Sequence, residues 1–168
     1  MIILPAIDIK DGNCVRLVKG DYGTAHKVAE SYMDTARSFE QAGSQWIHMV
    51  DLDGAKDAST ANKEIFLDVA KNTRLKVEVG GGIRNLDTVE MYIIFTDISK
   101  DGTLSGVNAV QLDEINKACS ANIIASGGVH TIDDIITCRK LGLYGTICGK
   151  SLYQGTLDLK QALEEAQK

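Results

Sequence analysis

The sequence predicts an α/β protein built on a parallel sheet, and three observations carry that prediction. Short apolar runs alternate with helical patterns, most of the runs are continuous in hydrophobicity, and a β-α-β pattern recurs in the two halves. A strand covered on both faces needs an unbroken apolar run, whereas a strand with one wet face alternates. Repeated strand–helix units then place helices over the sheet.

Six strands are expected: IILPAIDI, WIHMVDL, LKVEV, YIIFTDI, NIIAS and GTICGK. The helical segments between them have recognisable ends. Asp34 opens DTARSFEQA and Gly43 closes it, Asn108 opens NAVQLDEINKA, and Thr131 opens TIDDIITCRKL with Gly142 after it. A side-chain oxygen at a helix start satisfies free N–H groups, and glycine takes the left-handed residue that ends a helix. The helix faces carrying Glu64, Asp68, Glu164 and Glu165 read as solvated, and His26 and His130 as surface residues. With no linker or charge block, residues 1–168 read as a single domain.

The two halves rhyme. WIHMVDLDGAKDAST is followed by VEVGGGIRNLDTV, and YIIFTDISKDGTLSG by IIASGGVHTIDDI. Asp51 to Gly80 spans 29 positions and Asp97 to Gly127 spans 30. Such a duplication predicts a barrel made of two similar halves.

The 168 residues, 44% of them hydrophobic, supply a real core. A net charge of −5 and a pI near 5.2 argue against nucleic acid or an anionic membrane as partner, since both need clustered Lys and Arg. Cys14, Cys119, Cys138 and Cys148 show no metal-ligand spacing and read as reduced. The opening MIILPAIDIKDG has no basic region and meets Asp8 early, so a cytoplasmic protein is expected.

Ligands of parallel α/β folds bind at the carboxyl ends of the strands. Polar residues recur there: Asp8, then Asp51 and Asp53, then Gly80-Gly81-Gly82 with Arg84, then Thr96 and Asp97. The last two strands end in Ser126-Gly127-Gly128 and Gly149-Lys150-Ser151. Glycines between a strand and a helix start leave backbone N–H groups free to hold a phosphate. Asp8, inside an apolar strand, is the sharpest candidate for a general base, because desolvation raises a carboxylate's pKa. His48 shares a strand face with Val50 and Leu52, opposite Asp51, and on its own reads as a core histidine.

MIILPAIDIKDGNCVRLVKGDYG, WIHMVDLDGAK, VEVGGGIRN, FTDISKDGTLSG, IIASGGV and ICGKSLYQG together resemble the histidine-biosynthesis isomerases that act on phosphoribosylformimino-AICAR ribonucleotide. The resemblance covers nearly the whole chain. It implies a TIM-barrel-like fold, an Amadori rearrangement of an aminoaldose to an aminoketose without metal or organic cofactor, and a bisphosphorylated ribonucleotide as substrate. Carried over by position, Asp8 matches the family's general base and Thr96 an assisting threonine. Gly127, Gly128, Gly149, Lys150 and Ser151 match one phosphate site, and Gly81, Gly82 and Arg84 half of the other. Arg16 and Lys19 lie in the first loop, which folds over the substrate.

The chain departs from that family in one place. A barrel of this type typically needs ~250 residues, so about 80 are missing. The third helix passes at Met91-Tyr92 straight into what resembles the sixth strand, so the matching strands are one, two, three, six, seven and eight. Residues 1–92 then hold units one to three and residues 93–168 units six to eight. The strand of the general acid has no counterpart, so activity is expected to be weak or lost, with Asp97 or Asp101 as the candidate replacement; losing a general acid typically costs about 10²–10⁴-fold. The retained strands form an arc ordered six, seven, eight, one, two, three with two raw edges, which seek partners. Seven helical residues, Leu86 to Tyr92, rise only ~10 Å, against roughly 20 Å for a strand return. The segment is therefore expected to unwind or to hand its strand to a second copy, giving a homo-oligomer. An inert phosphate-binding module, a self-assembling barrel fragment and a dual-substrate phosphoribosylanthranilate isomerase are the alternative readings.

Overall fold

The computed structural model describes residues 1–57, 61–81, 92–97, 99–118 and 122–168. Met91 and residues 86–90 of the helix expected before it lie outside these residues; Tyr92, expected to end that helix and the first three units, instead opens a strand. All six expected strands are present: β1 (Ile2–Lys10), β4 (Trp46–Asp51), β5 (Lys76–Gly80), β6 (Tyr92–Thr96), β7 (Asn122–Ser126) and β8 (Gly145–Cys148). They pair in parallel in the order β5-β4-β1-β8-β7-β6. This is the arc expected of strands three, two, one, eight, seven and six. Among the described residues, β5 pairs only with β4 and β6 only with β7, so the barrel is not closed.

Alternation along β1 sorts the two faces. Ile3, Ile7 and Ile9 point outward and pack with Ile47 and Met49 of β4 against α1 (Tyr32–Gln41), α3 (Lys63–Asn72), α5 (Ile132–Lys140) and α7 (Leu159–Ala166). Leu4 and Ala6 point inward onto Ile124 and Ile147. Each fully buried isoleucine contributes about 1.5–3 kcal/mol. That two-sided burial is why these strands read as unbroken apolar runs.

Two strands were not anticipated. β2 (Asn13–Val18) and β3 (Asp21–Ala29) form an antiparallel hairpin on the carboxyl end of β1, so the sheet is mixed. Its signal was in the sequence: Asp11-Gly12 and Lys19-Gly20 are both two-residue turns with positive φ at each residue (49°, 74°, 53° and 72°), which sterics favour between right-twisting antiparallel strands. The first loop is therefore a rigid ribbon.

Two further readings are corrected. α1 starts before Asp34: Ser31 is its cap, and Ser31 Oγ accepts the Asp34 N–H at 3.1 Å, which puts the Asp34 carboxylate in the first turn. Glu165 is not solvated. It is only 9% exposed and accepts from Arg139 Nη2 at 2.9 Å, tying α7 to α5.

The Thr131 helix start behaves as expected and also reaches further. Asp134 Oδ2 accepts from the N–H groups of His130 (2.9 Å) and Thr131 (3.0 Å), while Oδ1 accepts from Val107 N–H (3.0 Å) in the loop before α4 (Ala109–Ala118). One carboxylate thus caps α5 and ties down a neighbouring loop. Asp134→Ala is expected to destabilise the protein by about 2 kcal/mol, from a lost cap and orphaned backbone donors, measured as a lower urea midpoint.

Candidate active site at the carboxyl ends of the strands

A cavity of about 200 Å³ opens at the carboxyl ends of the strands. Asp8 of β1, His48 and Val50 of β4, Thr96 of β6, Ser126 at the end of β7 with Gly127-Gly128 after it, and Gly149-Lys150 after β8 line the cavity. The hairpin contributes Arg16, Leu17 and Gly20, and the loop after β6 contributes Asp101, Gly102 and Leu104. These two covers touch: Lys19 N–H donates to Asp101 O at 3.1 Å, and a Cβ on Gly102 would lie 2.7 Å from Leu17 O. Only glycine allows that approach.

The centre of the site is an ion pair. Arg16 Nη1 lies 2.6 Å from Asp8 Oδ2, with both side chains nearly buried. Arg16 Nη2 also donates to Ala6 O at 3.3 Å, and the guanidinium lies over the Tyr153 ring at 5.6 Å. Tyr153 Oη donates to the same Ala6 carbonyl at 2.8 Å. Topology explains the convergence. On that edge β1 pairs with β8 over Ile2–Pro5 and with β2 over Asp8–Lys10, leaving Ala6 between partners. A buried carbonyl without a ladder partner needs side-chain donors. The guanidinium also presses on Gly149, where a Cβ would sit 2.0 Å from Nη2.

The three further aspartates separate by environment. Asp51 is 3% exposed. Burial opposes its charge, but hydrogen bonds from Gly54 N–H and from the Asn62 side chain and N–H outweigh that and hold it below the usual carboxylate range. Asp97 is also held low, first by the Ser99 hydroxyl, against some desolvation, with Asn108 adding a donor. Asp101 goes the other way: desolvation raises its pKa, Asp8 adds to the rise, and Arg16 and Lys150 offset part of it. A raised pKa in a carboxyl that faces a cavity suits it to acid catalysis.

The duplication is visible atom by atom. Asn62 stands eleven residues after Asp51 and bonds it; Asn108 stands eleven after Asp97 and does the same. A Cβ on Gly81 would meet Asp51 O at 2.2 Å, and one on Gly127 would meet Asp97 O at 2.6 Å, with φ of 91° and 93°. The partner of Gly127 is thus Gly81, one residue beyond the Gly80 that spacing picked out.

The structure gathers Asp8, Arg16, His48, Thr96, Asp101, Gly127, Gly128, Gly149 and Lys150 around one cavity. Lys150 Nζ donates to Gly102 O at 2.6 Å, and the buried Ser151 Oγ has no hydrogen-bond partner. Lys19 is exposed and takes part only through its backbone. Asp51, Asp97 and Gly81 lie outside the lining, and Gly82 and Arg84 lie outside the described residues. Sequence reasoning missed Tyr153 and Glu78, which bonds His48 Nδ1. Register alone would have found Glu78, since it lies directly beside His48.

The Asp101 shift has a stability consequence. A carboxyl with a raised folded pKa favours folding below its unfolded value near 3.8, and that contribution is lost as pH rises through the folded value. Asp101→Asn is therefore expected to raise the urea midpoint at about pH 7, and the gain should shrink toward about pH 4.

Among the described residues no helix is long and apolar enough to cross a membrane. The family model described as "Histidine biosynthesis protein" matches residues 2–93 and 91–158, two segments that meet at the junction expected from the resemblance. A relative from Clostridium kluyveri, named 1-(5-phosphoribosyl)-5-((5-phosphoribosylamino)methylideneamino) imidazole-4-carboxamide isomerase, is 36% identical over 98% of this chain and 98% of its own. Relatives of the same name from Clostridium botulinum (strain Okra) and Ruminiclostridium cellulolyticum are 35% and 34% identical, over 98% and 97% of this chain and 97% and 99% of their own. The Clostridium kluyveri alignment is 234 residues long against 168 in this chain, so at least 66 of its positions have no residue here. With both family segments matched and about a third of aligned positions identical to these relatives across its span, the chain belongs to the histidine biosynthesis protein family.

Proposed function

We propose that this cavity catalyses the aldose-to-ketose rearrangement of a bisphosphorylated aminoaldose ribonucleotide, the Amadori chemistry of the relatives. The observation that supports it most is the placement of two carboxyls, Asp8 paired with Arg16 and Asp101 desolvated in the loop above, in one cavity beside a glycine-rich candidate anion cradle. The rearrangement breaks one ring C–O bond and otherwise consists of proton transfers. Asp101 donates a proton to the ring oxygen as the bond from that oxygen to the aldehyde carbon breaks and the ribose opens to an iminium ion. Asp8 then removes the proton from the neighbouring carbon, giving an enaminol; its former aldehyde carbon takes a proton back from Asp8 while its enol hydroxyl returns one to Asp101, leaving the ketone. Nothing is gained or lost in sum, as an isomerisation requires. Gly127, Gly128 and Gly149 present backbone N–H groups to one phosphate, with Lys150 and Ser151 beside them. Thr96, in the lining, holds a substrate hydroxyl.

Asp101 takes the part of the acid in this reading in preference to Asp97, whose charge is fixed by Ser99 and Asn108. Binding requires Arg16 to turn from Asp8 toward substrate, and the two covers to part. The present volume is below the roughly 300–1,000 Å³ of ordinary ligand sites. The protein acts in the cytoplasm in this reading, and the open edges β5 and β6 are pairing sites between copies.

Isothermal titration and turnover of the bisphosphorylated substrate on one sample test the proposal. The wild type is expected to bind and turn over, Asp8→Asn to bind without turnover, and Asp101→Asn to lose about 10²–10⁴-fold in rate. A flat titration sinks it. Binding with no turnover by the wild type supports an inert phosphate-binding module instead.

A further inference from the structure

One inward-facing pair takes no part in the scheme above. His48 on β4 and Glu78 on β5 are register neighbours, and His48 Nδ1 is hydrogen-bonded to Glu78 Oε2. Along β5, Val77 and Val79 pack outward against the helices, so alternation turns Glu78 into the barrel interior. The His48 and Glu78 side chains are 12% and 26% exposed. A carboxylate placed inside an apolar sheet is costly unless it has a partner, and here the partner is an imidazole that lines the cavity. The opposite edge of the ring lies at Gly80: a Cβ there would stand 3.4 Å from Cε1 and 3.9 Å from Nε2, and glycine leaves that edge uncovered.

An imidazole has two neutral tautomers, and the bond made by one nitrogen decides what the other offers. A carboxylate at Nδ1 accepts only, so Nδ1 carries the proton and Nε2 is left with its lone pair. We propose that Glu78 is a positioning residue that fixes His48 in this tautomer, so that Nε2 accepts a hydrogen bond from a sugar hydroxyl of the ligand held in the phosphate cradle. The inference rests on the proposed function for the identity of that ligand as a ribose phosphate. The pairing of Glu78 with His48 is independent of turnover.

Nitrogen NMR of the histidine rings at about pH 8, above the ordinary histidine titration, reads the tautomer directly, with His48 assigned by its loss in His48→Gln. The wild type and Glu78→Gln, whose amide oxygen still accepts from Nδ1, are expected to show the Nδ1–H tautomer, and Glu78→Leu the Nε2–H tautomer. Titration with ribose 5-phosphate is expected to weaken about tenfold in Glu78→Leu, to recover in Glu78→Gln, and to weaken no further when Glu78→Leu is added to His48→Gln. Inorganic phosphate, which lacks the hydroxyls, is expected to bind all five proteins alike. An Nε2–H tautomer in the wild type, an unchanged tautomer in Glu78→Leu, or equal losses for ribose 5-phosphate and inorganic phosphate overturns the inference. Absence of turnover with these results intact overturns the isomerase reading and leaves the positioning role standing.

Discussion

The carbonyl of Ala6 has no strand partner on one edge of β1, and the rest of the site is arranged around that constraint. β1 is the central strand, with β4 along one side and β8 followed by β2 along the other. At the change of partner the register skips Ala6 and Ile7, and Arg16 and Tyr153 donate to the Ala6 carbonyl. Arg16 reaches Ala6 only because the hairpin folds it inward, and once there it meets Asp8 and Gly149. Desolvating a guanidinium costs several kcal/mol, which only a close carboxylate and good hydrogen bonds offset. The same geometry therefore serves the fold and sets Asp8, the proposed base, beside a cation.

The duplicated halves share a backbone device and differ in side chains. In each, an aspartate at the end of one strand is bonded by an asparagine eleven residues on, and a positive-φ glycine after the next strand lies against that aspartate's carbonyl. These contacts hold the strand ends at fixed separation, which an anion cradle needs. Chemistry enters where the halves diverge. The first half carries His48 and Glu78 inward, and the second carries Thr96 and the loop of Asp101. The cavity draws on both halves, although most of its cradle comes from the second.

Much of this was legible from local pattern. Two-sided burial leaves unbroken apolar runs, so the six strands and their ends could be read, and with them Asp8, Thr96, Gly127 and Gly149. The hairpin went unread although Asp11-Gly12 is a strong turn signal, because β3, DYGTAHKVA, is largely polar and partly exposed and lacks the unbroken apolar run of the parallel strands. Glu165 read as solvated because a helical pattern does not reveal that Arg139, on another helix, will cover it. Asp97 and Asp101 looked equivalent in the sequence. Desolvation and hydrogen bonding separate them, and both depend on residues distant in the chain.

By itself the sequence determined the strands and the repeat, which follow from periodicity, and the family, whose motifs are a few adjacent residues each; the strand order of the arc is what that resemblance implies. Only the tertiary structure decided that Arg16 turns inward onto Asp8 while Lys19, three residues on, stays outside. It also decided that Asp101 faces the cavity and that Glu78 holds His48. Electrostatic character of this kind arises from burial and from partners brought together across strands, and neither is a property of any short stretch of chain.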